Sequence, residues 1–168
     1  KRFDGEIICA DSRTIYKGMD VGTAKPTESE QAEIKHWGLD IAEPNQRFTA
    51  ADFKKYALQK IAEIRMKGKI PILVGGSGLY VDAVIFDYKF GEDADLDLRK
   101  KLEEMTLDQL YMYCNKHNIQ LPENHKNKRY VVRAIEQKSI NKKRRSAPIN
   151  NCYIVGIATK TDVLRQRI

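Results

Sequence analysis

The apolar run Ile70–Val74 passes without a spacer into Gly75-Gly76-Ser77-Gly78, and Leu79–Phe86 beyond it reads as a helix. A run this short and this uniformly apolar predicts a strand covered on both faces. A glycine break followed by helical residues predicts a strand-to-helix turn. A second short run, Glu6–Ala10, stops as abruptly at Asp11-Ser12. Between the two lie a further candidate strand, Leu39–Ala42, ending at Glu43-Pro44, and then a helix. Thr49 is placed to cap that helix, with Asp52 three residues on. Phe53, Ala57, Ile61 and Ile64 recur at helical spacing until Gly68 stops the pattern. Strand, helix, strand, glycine turn, helix is the rhythm of an α/β protein with a parallel sheet. Ligands of such sheets gather beyond the carboxyl ends of the strands. Asp11-Ser12 and Gly75-Gly76-Ser77 are therefore expected to face one crevice.

The character changes near Gly91. Acid-rich residues 92–108 lead into helical patterning at Leu96, Leu102, Leu107 and Leu110, and then into a basic segment. The expected organisation is an α/β core over residues 1–90, a helical insertion over 91–149, and a return to the core over 150–168. Within the last part Tyr153–Ala158 reads as a returning strand. Residues 125–145 hold nine Lys or Arg against one acid, Glu136, a net +8 in a chain of net +7. The rest of the chain is thus nearly neutral. A concentrated basic segment on a neutral body is the footprint of a polyanion site. Arg129, Tyr130 and Arg133 favour nucleic acid, because a stacking ring stands among charges and the two arginines share one helical face. The alternative is a solvated basic helix with no partner.

Composition narrows the classes further. In 168 residues no apolar run is long enough to cross a bilayer, and residues 1–8 lack a signal-peptide layout, so a cytoplasmic protein is expected. Cys9, Cys114 and Cys152 are odd in number and far apart, which argues for reduced thiols. Cys114-x-x-His117 with His125 beyond it offers half a zinc site at most, since a structural site needs four ligands. The expectation is a helix cysteine, two surface histidines and no protein-held metal. The glycine turn carries chemistry of another kind: exposed amides at a helix start form an anion site, and Ser77 adds a hydroxyl. Its alternative is a turn that merely needs positive φ. Asp11 likewise has an alternative role, capping its own turn.

Taken together these segments resemble one family. Residues 5–26, GEIICADSRTIYKGMDVGTAKP, closely resemble the block GEIISADSxxIYxGMDIGTAKP of the tRNA dimethylallyltransferases. The resemblance continues through Phe48–Phe53, Gly68–Tyr80, Asn127–Glu136 and Leu164–Ile168, in the family's order. It implies an enzyme of tRNA modification with a P-loop-NTPase-like, nucleotide- and ATP-binding core. The implied reaction is transfer of a dimethylallyl group from its diphosphate to the exocyclic amine of the adenosine next to the anticodon. That amine is a weak nucleophile, so a carboxylate accepting its proton helps most; Asp11 holds the family's position for this base. Ser77, where the family more often has threonine, is the implied second catalytic residue. The implied diphosphate contacts are Gly75, Gly76, Ser77 and Arg167, since negative charge builds on the leaving group. The implied tRNA contacts are Asp11, Ser12, Arg13, Thr14, Arg99, Arg129, Tyr130, Val131, Val132 and Arg133. The target base would have to leave its stack to reach Asp11. Mg²⁺ and a monomeric state are implied for the complete enzyme.

The chain departs from the family in one respect. No G-x-x-x-x-G-K-[ST] phosphate loop occurs in it; it opens at Lys1-Arg2-Phe3-Asp4 and ends at Ile168. The expectation is an internal piece of a complete enzyme; the alternative is a protein that has lost its phosphate cradle. The rival activities are adenylate isopentenyl transfer, which has no use for a basic insertion, and a non-catalytic tRNA-binding remnant. One lost donor at a developing oxyanion costs about a hundredfold or more. The 168-residue chain is therefore expected to show no useful turnover, which an assay of prenyl transfer to an anticodon stem-loop checks.

Overall fold

The computed structural model describes residues 2–90, 95–137 and 144–166. Its centre is β1 (Gly5–Cys9), flanked in a three-stranded sheet by β2 (His36–Trp37) and β3 (Ile70–Val74). Both neighbours run parallel to it, with Ile7 opposite His36 and Cys9 opposite Val74. Parallel strands need crossovers, and helices supply them. α1 (Glu28–Glu33) precedes β2, α2 (Ala50–Met66) joins β2 to β3, and α3 (Gly78–Ile85) follows β3.

α2 has both ends its sequence encodes. Thr49 Oγ1 accepts from the Asp52 amide at 3.2 Å, and Asp52 Oδ2 accepts from the Thr49 amide at 2.8 Å. Gly68, just past the other end, has φ +73°, a value only glycine adopts freely. Between them Phe53, Ala57 and Ile64 face the sheet, buried with Ile8, Ala10, Tyr80 and Val84. The rings of Phe53 and Tyr80 stack at 4.3 Å, which locks α2 to α3. α1 carries the same kind of cap, Thr27 with Glu30, a signal legible in T-x-x-E.

Three expectations are corrected. The second strand is His36–Trp37 rather than Leu39–Ala42. Gly38 and Asp40 take positive φ (+85° and +54°), so the chain turns through this stretch, and Ala42 makes only an isolated bridge to Tyr16. β3 is not covered on both faces, since Ile70 and Val74 are each 50% exposed, and among the described strands it lies at the edge of the sheet. Tyr153–Ala158 forms no strand, and Tyr153 and Ile157 are almost wholly exposed. A strand needs a neighbour to pair its backbone groups, and no described strand lies beside this segment.

A second core lies in α4 (Leu96–Glu104), α5 (Leu107–Lys116) and α6 (Lys128–Gln137). It gathers Leu102, Leu110, Cys114, Val131, Val132 and Ile135. The chain on either side of these helices is drawn together: Arg145 N donates to Phe86 O and Ile149 N to Ile85 O, both at 2.8 Å. Arg144 also donates to Tyr88 Oη at 2.6 Å while lying over its ring. The last element, α7 (Thr161–Arg165), is short and has no buried residue.

Two outcomes follow from this packing. Phe53→Ala removes a wholly buried ring and is expected to cost about 3–5 kcal/mol, read from the urea midpoint. Burial, reinforced by the Asp11 carboxylate, pushes the Cys9 thiol up to about 11. Thiolate is the reactive form, so Cys9 is expected to alkylate far more slowly in the native than in the unfolded protein at about pH 8. Peptide mass mapping after timed alkylation checks this.

Candidate active site

β1 and β3 end side by side, and their backbones stay in contact past the last ladder pair. Ala10 N donates to Val74 O at 2.6 Å, and Ser77 N donates to Ala10 O at 3.2 Å. Position 75 allows this approach only as glycine, because a Cβ there would sit 2.1 Å from Ala10 O. Gly75, Gly76 and Gly78 do not have positive φ, so close approach, not backbone handedness, explains the glycine after β3. A Cβ at Gly76 or Gly78 would meet nothing within 4 Å, which leaves that side of the turn open. Ser77, the N-cap residue of α3, makes no capping hydrogen bond through its side chain.

Ser77 closes the arrangement by accepting from the Ser12 amide at 2.9 Å. The loop after β1 and the glycine turn after β3 are thereby one mouth. Asp11, half-buried at its edge, accepts from Arg13 N at 2.7 Å and Thr14 N at 3.3 Å through Oδ1. Its turn-capping role is therefore present, and Oδ2 has no partner among the described residues. The Tyr80 hydroxyl lies close enough to feel this charge. Burial first, then Tyr16, Asp52 and Asp11, push it up to about 12.

The rest of the 11–26 loop is built around Lys25, which the sequence reading did not single out. Its side chain is 5% exposed and reaches Asp20 Oδ1 at 2.6 Å, Asp40 Oδ1 at 2.7 Å and Tyr16 O at 3.0 Å. Burial pulls this ammonium down, but the two carboxylates outweigh it and hold it above the usual lysine value. Lys17 pairs with Glu43. Arg13 is exposed and without a side-chain partner among the described residues. The only sequence signal for Lys25 is its proximity to Asp20, five residues back.

The other expected contacts sort by burial. Ser12 is half-buried, whereas Thr14 is only 4% exposed with its Oγ1 unpartnered among the described residues, so it lies inside the loop rather than on its rim. On α6, Val131 and Val132 are 0% and 3% exposed. Their side chains belong to the helical core and hold the helix to α4 and α5. Arg129, Tyr130 and Arg133 point outward from the same helix, with Tyr130 46% exposed. Arg99 on α4 bonds through Nε to Glu103 Oε1 at 3.1 Å and faces Glu136 Oε1 at 3.6 Å. A shallow cleft beside it is lined by Arg99, Glu103, Asn127, Lys128, Arg129 and Val132. Arg167 lies outside the described residues, as do Lys138, Lys142 and Lys143.

Cys114 is buried in the helical core, His117 packs on the Tyr113 ring, and His125 Nδ1 lies 3.2 Å from Tyr111 Oη. These three do not converge. Among the described residues no group of His, Cys, Asp or Glu would hold a metal ion, and no helix is long and apolar enough to cross a membrane.

Comparison with known proteins extends this picture. The tRNA dimethylallyltransferase of Acetivibrio thermocellus is 40% identical over 184 aligned residues, which take in all of this chain and 59% of that protein. A crystal structure of the tRNA delta(2)-isopentenylpyrophosphate transferase of Staphylococcus epidermidis matches with a TM-score of 0.61 at 32% identity. That match covers 99% of this chain and 59% of the other. A eukaryotic dimethylallyltransferase crystallised acting on tRNA shares the fold, with a TM-score of 0.62 at 23% identity over 79% of this chain and 34% of its own. The chain therefore spans about 59% of the length of each of these two bacterial relatives. Its parallel sheet and helices are the P-loop-NTPase-like core of these neighbours. A family model described as IPP transferase matches residues 14–168, and the chain belongs to that family.

Proposed function

We propose that this chain carries the proton acceptor and an RNA-binding face of a tRNA dimethylallyltransferase. The observation that carries the reading is the Ser12 N to Ser77 Oγ hydrogen bond of 2.9 Å, which joins the Asp11 loop and the glycine turn at one mouth. The exocyclic amine of the adenosine next to the anticodon attacks the allylic carbon of dimethylallyl diphosphate. The carbon–oxygen bond to diphosphate breaks as the carbon–nitrogen bond forms, and the amine proton passes to Asp11 Oδ2. With Oδ1 held by two backbone amides, the carboxylate is oriented before substrate arrives. Gly75, Gly76 and the Ser77 hydroxyl offer donors to the leaving diphosphate, a role the resemblance extends to Arg167. Ser77 accepts from Ser12 N, so its own proton remains available to donate.

Arg13, Arg99, Arg129, Tyr130 and Arg133 supply the RNA contacts in this reading. An exposed Arg129–Tyr130–Arg133 face favours tRNA over the free adenylate of the rival activity. A tRNA substrate puts the proposed reaction in the cytoplasm. The Mg²⁺ that the resemblance implies finds no cluster of ligands among the described residues, and no step here runs through it. The segments 1–90, 91–149 and 150–168 would then be core, RNA-binding insertion and return to the core.

Asparagine at position 11 keeps an acceptor for both turn amides and removes the base. Asp11→Asn in the full gene product is expected to lower transfer from labelled dimethylallyl diphosphate about 10²–10⁴-fold while RNA binding persists. Transfer at the parent rate would refute the assignment of the base. Arg129→Ala with Arg133→Ala is expected to weaken binding of an anticodon stem-loop and to lower its salt slope by about 2. Fluorescence anisotropy at several salt concentrations measures both.

A further inference from the structure

Glu136 is the one acid in the basic segment, and its placement is unusual. It lies one helical turn beyond Val132 on the inward face of α6, with its side chain 9% exposed. Its Oε1 is buried and makes no hydrogen bond to any of the described residues. The cation facing it is Arg99 Nε, 3.6 Å away on α4. Burying a carboxylate is costly, and an apolar residue would tie two helices together at least as well. The carboxylate must therefore be accounted for by what it does to Arg99.

Arg99 is gripped from one side. Glu103 Oε1 and Glu136 Oε1 both face its Nε, and its terminal amino groups have no partner among the described residues. Glu103 also fixes Lys128, whose Nζ donates to the Glu103 carbonyl at 2.6 Å. Asn127 Oδ1 accepts from the Arg129 amide at 3.1 Å and sets the start of α6. Arg99, Lys128 and Arg129 thus line one cleft, with Glu103 the one carboxylate on its wall. Three cations around one open cleft suit a backbone phosphate, which guanidinium groups bind through paired donors.

We propose that Glu136 is a positioning residue: it aims Arg99 so that Arg99, Lys128 and Arg129 converge on one backbone phosphate of the RNA. This rests on the RNA-binding reading above. It has a consequence opposite in sign to simple charge attraction. Deleting a bystander carboxylate near an RNA site strengthens binding, whereas deleting one that aims an arginine weakens it.

The test is the affinity of the 168-residue chain for an anticodon stem-loop RNA, measured by fluorescence anisotropy. Glu136→Gln is expected to bind about tenfold more weakly, as Arg99→Ala does, and the double variant no more weakly than Arg99→Ala alone. Glu136→Met guards against simple unfolding. Arg99 is 31% exposed and keeps Glu103, so no buried charge is stranded, and this variant is expected to melt at or above the parent temperature yet bind as poorly as Glu136→Gln. Unchanged or tighter binding by either variant overturns the proposal, as does an equal loss when Arg99 is already alanine. A parent chain that binds no RNA defeats the underlying reading instead, and the proposal with it.

Discussion

The contact on which the rest depends is the approach of the Ala10 backbone to Gly75. Two parallel strands normally diverge into their loops once the ladder ends. Here the ladder continues through Ala10 N to Val74 O and Ser77 N to Ala10 O, because nothing projects from position 75. Asp11 follows Ala10 directly, so its location relative to Ser77 is inherited from this contact. The stack of Phe53 on Tyr80 supports it from behind, since Tyr80 lies in the first turn of the helix that Ser77 precedes. Packing, backbone pairing and the site therefore share one set of atoms.

The loop that carries Asp11 has little apolar anchoring of its own. Ile15 is buried, but Met19 and Val21 are exposed. Its shape comes from a buried ammonium shared between Asp20 and Asp40, with glycines at positive φ at positions 18 and 22 to turn the chain. The three basic residues of this stretch thus divide between architecture and function. Lys25 and Lys17 are spent on carboxylates, and Arg13 stays available to a polyanion.

The helical segment repeats this division on α6. Its inward face carries valines, an isoleucine and a carboxylate, and its outward face two arginines and a tyrosine. α3 connects the two halves of the molecule. It starts at the glycine turn, and its far end holds both flanks of the helical segment through Ile85, Phe86 and the Tyr88 ring under Arg144. Lys54 adds to that junction by bonding Asp87 Oδ1 at 2.5 Å and Tyr88 O at 2.8 Å.

Local signals were legible without coordinates. The Thr49–Asp52 cap, the Phe53–Ala57–Ile64 face, the stop at Gly68 and the βα turn at Gly75 are each written within a few residues, because caps and helical faces are made by near neighbours. So was the charge concentrated in residues 125–145. Only the tertiary structure decided that His36–Trp37, rather than Leu39–Ala42, pairs with β1, and that among the described strands β3 is an edge and none lies beside Tyr153–Ala158. Strand pairing depends on a partner distant in sequence, and apolar composition alone does not name one. The same holds for Thr14, Val131 and Val132, whose burial is fixed by what packs over them, and for Lys25 and Glu136, whose roles depend on charges brought from other elements. Sequence determined which groups are present and which local turns hold them; the folded chain determined which of them face a ligand and which face each other.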